Sequence, residues 1–131
     1  MIVNANTLSA KDELAQLIAK IDHPRTQKQV DEWLLLNLGT DLFGAWIAYE
    51  NDEPVGMIIG EIVFCDGITC YIAFNWVKPG VGINKDLVQR IEDWAKKMEA
   101  NKLLFYTKRS PTTFIKKYGF EIVQSVLRKE L

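Results

Sequence analysis

Between residues 68 and 108 the sequence changes period twice, and that double switch constrains the fold more than any other feature. "ITCYIAFNWV" is an apolar, β-branched and aromatic run that reads as a strand ending in Val77. A short corner with Pro79, Gly80 and Gly82 follows. Leu87, Val88, Ile91, Trp94, Ala95 and Met98 then recur at helical spacing, which marks a strongly amphipathic helix. "KLLFYTK" returns to strand character. A strand, a helix of this length and a second strand form a βαβ unit, which places the two strands parallel.

Upstream, "GAWIAYE", "VGMIIGEIVF" and "ITCYIAFNWV" are separated only by the turns "NDEP" and "CDG", which predicts a three-strand antiparallel meander. The chain opens with a short strand in "MIVNA". A helix follows over "SAKDELAQLIAKID", with Leu14, Leu17, Ile18 and Ile21 on one face and Ser9 with Asp12 as a capping box. His23-Pro24 breaks that helix. A second helix runs through "TQKQVDEWLLLNL", with Val30, Trp33 and Leu34 inward and Gly39 past its end. After "KLLFYTK", a short helix is predicted over "SPTTFIKKY", capped by Ser110 with Pro111 at its first position and ended by Gly119. "FEIVQSVLRKEL" reads as a last strand.

The length of 131 residues suits one domain over 1–131, and no repeat or linker divides it. Hydrophobic content of 48% and charged content of 25% exclude a disordered chain. The longest apolar runs are too short for a bilayer, and no secretion signal opens the chain. Cys65 and Cys70 flank a turn without further metal-ligand partners; free thiols in a reducing cytosol are the favoured reading, a cross-strand disulfide the other. The net charge of -1 hides an asymmetry: residues 1–66 carry 4 basic and 11 acidic side chains, residues 67–131 carry 12 and 6. Either the two halves present different faces to different partners, or they interleave and merely solvate the surface. The basic residues are spread over helices and strands, which with a pI near 5.8 argues against nucleic acid.

The order strand, two helices, three-strand meander, helix, strand, short helix, strand resembles the GNAT superfamily of N-acetyltransferases over almost the whole chain. Two motifs carry the resemblance: the strand end "V-K-P" followed by "G-V-G-I" and the helix with "EDWAKK", and "FIKKYGFEIV". It implies an α/β fold with a mixed, mostly antiparallel sheet flanked by helices. It also implies acetyl-coenzyme A as co-substrate, no metal, and direct transfer of the acetyl group to a small-molecule or peptide amine in a ternary complex.

The resemblance places the coenzyme A pyrophosphate at the glycine corner. A helix N-terminus has unpartnered N–H groups and a partial positive charge, and glycines let an anion approach. Asn75, Trp76, Val77, Lys78, Gly80, Val81, Gly82, Ile83, Asn84 and Lys85 are the implied cofactor-binding residues. The corner is shorter than the family's usual loop, and Pro79, without an N–H, stands where an Arg or Gln opens the signature. Two answers stay open: an anion cradle built on Gly80, Gly82, Lys78 and Lys85, or a corner that Asn84 caps for itself.

The family's catalytic tyrosine would fall on Ile115, a matching Asn on Lys108, and the strand carboxylate near Ala73 and Phe74; none supplies the expected chemistry. Tyr118, one turn beyond Ile115, and Tyr106 are substitute acids, and Glu61 is a substitute base. Trp33, Trp46 and Trp94 fall at core positions, whereas Trp76 at the strand end lines or plugs the acyl site. His23 and Cys70 are read as structural. The acidic N-terminal half is expected to form the acceptor side and attract a cation. The leading function is an N-acetyltransferase acting on a primary amine. The alternative is a GNAT fold that has lost catalysis and serves as a binding or structural subunit, of a size that suits a compact phage or bacterial protein. A C-terminal edge strand could pair two copies.

Overall fold

A computed structural model describes residues 1–64, 67–106, 111–123, 127, 129 and 130. The strands are β1 (Ile2–Asn4), β2 (Phe43–Glu50), β3 (Glu53–Phe64), β4 (Ile68–Val77) and β5 (Lys102–Phe105). The helices are α1 (Lys11–Ile18), α2 (Gln27–Asn37), α3 (Asn84–Lys97) and α4 (Thr112–Tyr118). The strands form one sheet in the order β1-β2-β3-β4-β5. Every neighbour is antiparallel except β4 and β5, which run parallel as the βαβ pattern requires. Asn51 and Asp52 turn β2 into β3 with φ of 52° and 62°, the paired left-handed residues of a tight hairpin.

Strand alternation gives the sheet two apolar faces. Phe43, Ala45, Ile47, Met57, Ile59 and Phe74 pack under α1 and α2 with Leu14, Leu17, Ile18, Val30 and Leu34. Trp46, Ile58, Ile62, Cys70 and Ile72 pack under α3 with Leu87, Val88 and Ile91. Alternation with both faces covered explains why β2 is buried almost throughout.

The helix caps differ from the sequence expectation at two places. Ser9 and Asp12 form no capping box. The chain enters α1 through a 3-10 turn at Leu8–Ala10, and the Ser9 hydroxyl pairs with that of Thr7 at 2.9 Å. The capping box belongs to α2 instead: Thr26 Oγ1 accepts from the Gln29 N–H (3.2 Å) and Gln29 Oε1 accepts from the Thr26 N–H (2.8 Å). Pro111 occupies the N-cap position of α4, so the helix starts one residue later than expected, and Ser110 lies outside the described residues. Gly119, at φ 74°, ends α4, and the Phe120 N–H bonds back to the Phe114 carbonyl at 3.1 Å. Residues 120–123 do not join the sheet, so the expected last strand is absent from the described residues. Cys65 also lies outside them, while Cys70 is a buried free thiol.

Close approach of α3 depends on three glycines. A Cβ on Gly56 would stand 2.8 Å from Leu87 Cδ1, one on Gly44 3.1 Å from Trp94 Cδ2, and one on Gly60 closer still to Ile91 Cδ1. Leu87, Ile91 and Trp94 follow the i, i+4, i+7 stripe of one helix face, so each drops into a gap that a glycine leaves. Gly60→Ala should therefore cost about 1–3 kcal/mol by overpacking, and Ile91→Val should restore part of it. Urea unfolding of the two single variants and the double variant measures both. Strictly additive losses would show that the two sites do not share this contact.

Candidate functional site

The site is built where β4 outruns β5. Among the described residues their parallel pairing runs from Thr69↔Lys102 to Ile72↔Phe105, while β4 continues to Val77. At the same level β4 carries a bulge: Ile72 pairs with Gly60 and Phe74 with Ile59, leaving Ala73 as the extra residue. The bulge reverses the side-chain parity. Ile72, Asn75 and Val77 face α3, and Ala73, Phe74 and Trp76 face α1 and α2. The Lys78 N–H donates to the Val55 carbonyl at 2.8 Å, which sets the phase of the ladder. In that phase Trp76 and Lys78 spend their main-chain N–H groups on β3. Asn75 and Val77 direct theirs away from β3, into the gap that β5 leaves.

The corner after β4 is a tight turn followed by an uncapped helix. Pro79 and Gly80, with φ 82° at Gly80, form a turn closed by the Val81 N–H to the Lys78 carbonyl at 3.2 Å. Ile83 is the N-cap residue of α3 and offers no side-chain cap. Asn84 is already the first helical residue, and its side chain is engaged elsewhere. Asn84 Nδ2 donates to Asn75 Oδ1 at 3.1 Å, and Asn75 Nδ2 donates to Asn84 Oδ1 at 2.8 Å and to the Met57 carbonyl at 3.1 Å. This overturns the self-capped corner. Asp86 and Leu87 share the Ile83 carbonyl, but among the described residues nothing accepts from the N–H groups of Gly82, Ile83, Asn84 or Lys85. Lys85 is exposed beside them, while Lys78 is held by Glu53 at 3.2 Å. Asp86, in the first turn, opposes an incoming anion.

On the other face, the side chains of β4 form an aromatic column. Tyr106 stacks on Tyr71 (5.8 Å, 12° between planes), His23 stands edge-on to Phe74 at 5.2 Å, and Lys20 Nζ lies 5.3 Å from the centre of the Trp76 ring. The Arg25 guanidinium lies 4.8 Å from the Trp33 ring and 5.5 Å from that of Phe74. Glu61 pairs in register with Tyr71 and, one residue beyond Gly60, shares this face; it is half-buried. Trp76 therefore packs over the sheet rather than plugging the gap between β4 and β5. The cations that stand over the column, Lys20 and Arg25, come from the predominantly acidic N-terminal half.

Tyr118 packs edge-on against Phe114 at 5.2 Å and lines a cavity of about 920 Å³ between α3, β5 and α4. It lies on the α3 side, across the sheet from Glu61, so the structure does not bring these two together. Ile115 is partly exposed, and Lys108 lies outside the described residues. His23 Nδ1 accepts from the Arg25 N–H at 3.1 Å. Burial, and then Glu61, push the Cys70 thiol up to about 12, which removes it as a nucleophile. Burial and a hydrogen bond to Glu13 push the Tyr49 phenol up to about 12 as well. Among the described residues no group of three His, Cys, Asp or Glu side chains is placed to hold a metal, and no helix is long and apolar enough to cross a membrane. The Asn75–Asn84 pair and the Tyr71–Tyr106 stack escaped the sequence reading. Two asparagines flanking one short corner were the available signal for the first.

The sequence profile of the acetyltransferase (GNAT) family matches residues 11–120. No curated protein matches significantly. Among solved structures, the aminoglycoside 6'-N-acetyltransferase AAC(6')-Ih of Acinetobacter baumannii aligns with a TM-score of 0.81 at 16% identity, over 100% of this chain and 97% of its own. AAC(6')-Iy, in complex with the bisubstrate analogue CoA-S-monomethyl-acetylneamine, aligns with a TM-score of 0.80 at 16% identity over the same shares. A predicted acetyltransferase of Clostridium acetobutylicum, with acetyl-CoA, aligns with a TM-score of 0.76 at 21% identity, over 99% of this chain and 94% of its own. At these identities the likeness is one of fold.

Asn84→Ala should cost about 1–3 kcal/mol, because the buried Asn75 carbonyl oxygen loses its donor. A double-mutant cycle with Asn75→Ala, read by urea unfolding, should show a coupling of about 1 kcal/mol. Zero coupling would mean that the two amides do not pair.

Proposed function

The chain belongs to the acetyltransferase (GNAT) family, and from that premise we propose that it is an acetyl-coenzyme A-dependent N-acetyltransferase, acting on a primary amine by direct transfer in a ternary complex. The observation that carries the proposal is the set of four N–H groups from Gly82 to Lys85 that have no acceptor among the described residues, beside a main-chain edge at Asn75 and Val77 that no described strand pairs. These groups fit the two parts of the cofactor. The helix N-terminus suits a pyrophosphate, with charge added by Lys85. The open edge suits an amide-bearing arm that extends the sheet by one strand. Acetyl-coenzyme A supplies the activated acetyl thioester.

The rest of the corner shapes this site. Gly80 and Val81 make the turn, Gly82 leaves the approach open, and the Asn75–Asn84 pair fixes the first turn of α3 against β4. Trp76 and Lys78 flank the edge without offering main-chain donors. Glu61 is the proposed base, taking the amine proton directly or through a water from its half-buried place on the acceptor face. Tyr106 follows the last β4–β5 pair directly, where the gap opens, and is the favoured acid. Tyr118 is the other candidate, at a packing position.

Gly82 is exposed, its added Cβ would meet nothing within 4 Å, and its φ is not left-handed, so Gly82→Asp should fold normally. Isothermal titration should show micromolar acetyl-coenzyme A binding to the native protein, weakened at least tenfold by that charge. No binding at millimolar cofactor would sink the enzyme reading. Glu61→Gln should lower kcat by about a hundredfold or more with KM little changed, and Tyr106→Phe should lower it more than Tyr118→Phe. The reverse tyrosine order would return the role to Tyr118. Cofactor binding without transfer to any amine would favour the binding-protein alternative, to which the exposed Ile115 at the family's tyrosine position already points.

A further inference from the structure

We infer that the acceptor is a primary amine that also carries a carboxylate or phosphate, and that Arg25 and Lys20 receive this anionic group over the Phe74–Trp76 face of β4; the inference rests on the acetyltransferase reading above.

Lys11, Lys28 and Lys78 each lie within 4 Å of a carboxylate. Among the described residues Lys20 and Arg25, like Lys85 and Arg90, have no such partner, but these two are the cations found on aromatic faces. Among the described residues no carboxylate or carbonyl oxygen accepts from the Arg25 guanidinium, so it is positioned by the two rings while its hydrogen-bonding fork stays available. A planar fork suits a carboxylate or phosphate, which it can bind through two parallel hydrogen bonds. Two cations over one strand face, next to the gap between β4 and β5, repel each other and any diamine, and an anion relieves that repulsion.

The neighbouring groups agree with this polarity. Asp22, the acidic residue of the same loop, has a partner of its own. The His23 Nδ1 accepts from the Arg25 N–H, so in the neutral ring the proton sits on Nε2 as a further donor. Glu61 is the carboxylate of this face. It stands one same-face step, about 7 Å along β3, from Ile59, the partner of Phe74. An amine that gives its proton to Glu61 and an anion held at Arg25 belong to one molecule that is zwitterionic before transfer.

Two matched sets of amines test this: 4-aminobutanoate against butylamine and 1,4-diaminobutane, and O-phosphoethanolamine against ethanolamine and 1,2-diaminoethane. KM is measured with acetyl-coenzyme A. Binding is measured in parallel by tryptophan fluorescence, because Trp33 and Trp76 lie directly beneath the two cations. In at least one set the anionic member should bind, and show a KM, at least tenfold more favourably than its neutral and cationic counterparts. Arg25→Ala and Lys20→Ala should each cut that ratio to below threefold, acting on KM rather than kcat, and Arg25→Lys should keep an intermediate ratio. Equal or better use of the neutral or diamine member in both sets overturns the inference, as does a ratio that survives Arg25→Ala. A protein that binds acetyl-coenzyme A without charge preference keeps the transfer reading and loses the anion site. One that binds the anionic members through Arg25 but never the cofactor does the opposite.

Discussion

The extra residue at Ala73 is the constraint from which the rest of the site follows. A strand alternates its side chains strictly, so one inserted residue flips every position beyond it. Before the bulge, Cys70 and Ile72 belong to the α3 core; after it, Asn75 and Val77 do. Without the insertion, Phe74 and Trp76 would be driven into α3, and the amide of Asn75 would lie among the apolar residues beneath α1 and α2. The bulge also stands just beyond Ile72, the last β4 residue paired with β5 among the described residues. One local irregularity thus turns an aromatic column to one face, a polar anchor to the other, and opens a row of main-chain groups between them.

The anchor would be of little use without the glycines of the opposite strands. Gly44, Gly56 and Gly60 let α3 settle onto the sheet at a distance that Leu87, Ile91 and Trp94 then fill. Apolar packing of that kind sets the depth of the helix but only loosely its position along its own axis. The reciprocal amide pair of Asn75 and Asn84 supplies the missing coordinate, since two part-buried hydrogen bonds between the same two side chains tolerate little sliding. It also removes the one side chain that could have capped the helix from the position that needs a cap. Orphan N–H groups at a helix end cost little while water reaches them, and they are the groups an anion can use.

Elements and their order were legible because the periods are clean. The alternating runs of the meander, the 87-88-91-94-95-98 stripe and the parallel βαβ return all follow from spacing alone. What escaped was decided by single-residue offsets. Ser9 is placed as a cap by spacing but falls inside a 3-10 turn, and Asn84 is placed as a cap but sits one position too late in the helix. The parity of β4 beyond Ile72 could not be read, because a bulge leaves no mark in a run that is apolar on both faces. That hid the face to which Trp76 belongs, and with it the aromatic column that Tyr71, Phe74 and Trp76 form.

The charge asymmetry failed as a guide for a related reason. Halves of a sequence are not faces of a fold when helices from the first half lie on strands from the second. The first half carries 4 basic residues, and two of them, Lys20 and Arg25, come from the α1–α2 connection to stand over β4. They remain there because aromatic faces can hold a cation at modest desolvation cost, where a carboxylate would have neutralised it. β4 therefore separates two regions of positive potential: the amide-lined corner on its α3 side and the stacked cations on the other. On the reading proposed above, such a strand would hold an anionic cofactor and an anionic acceptor on opposite faces, so that their charges are kept apart while their reacting ends meet beside β4.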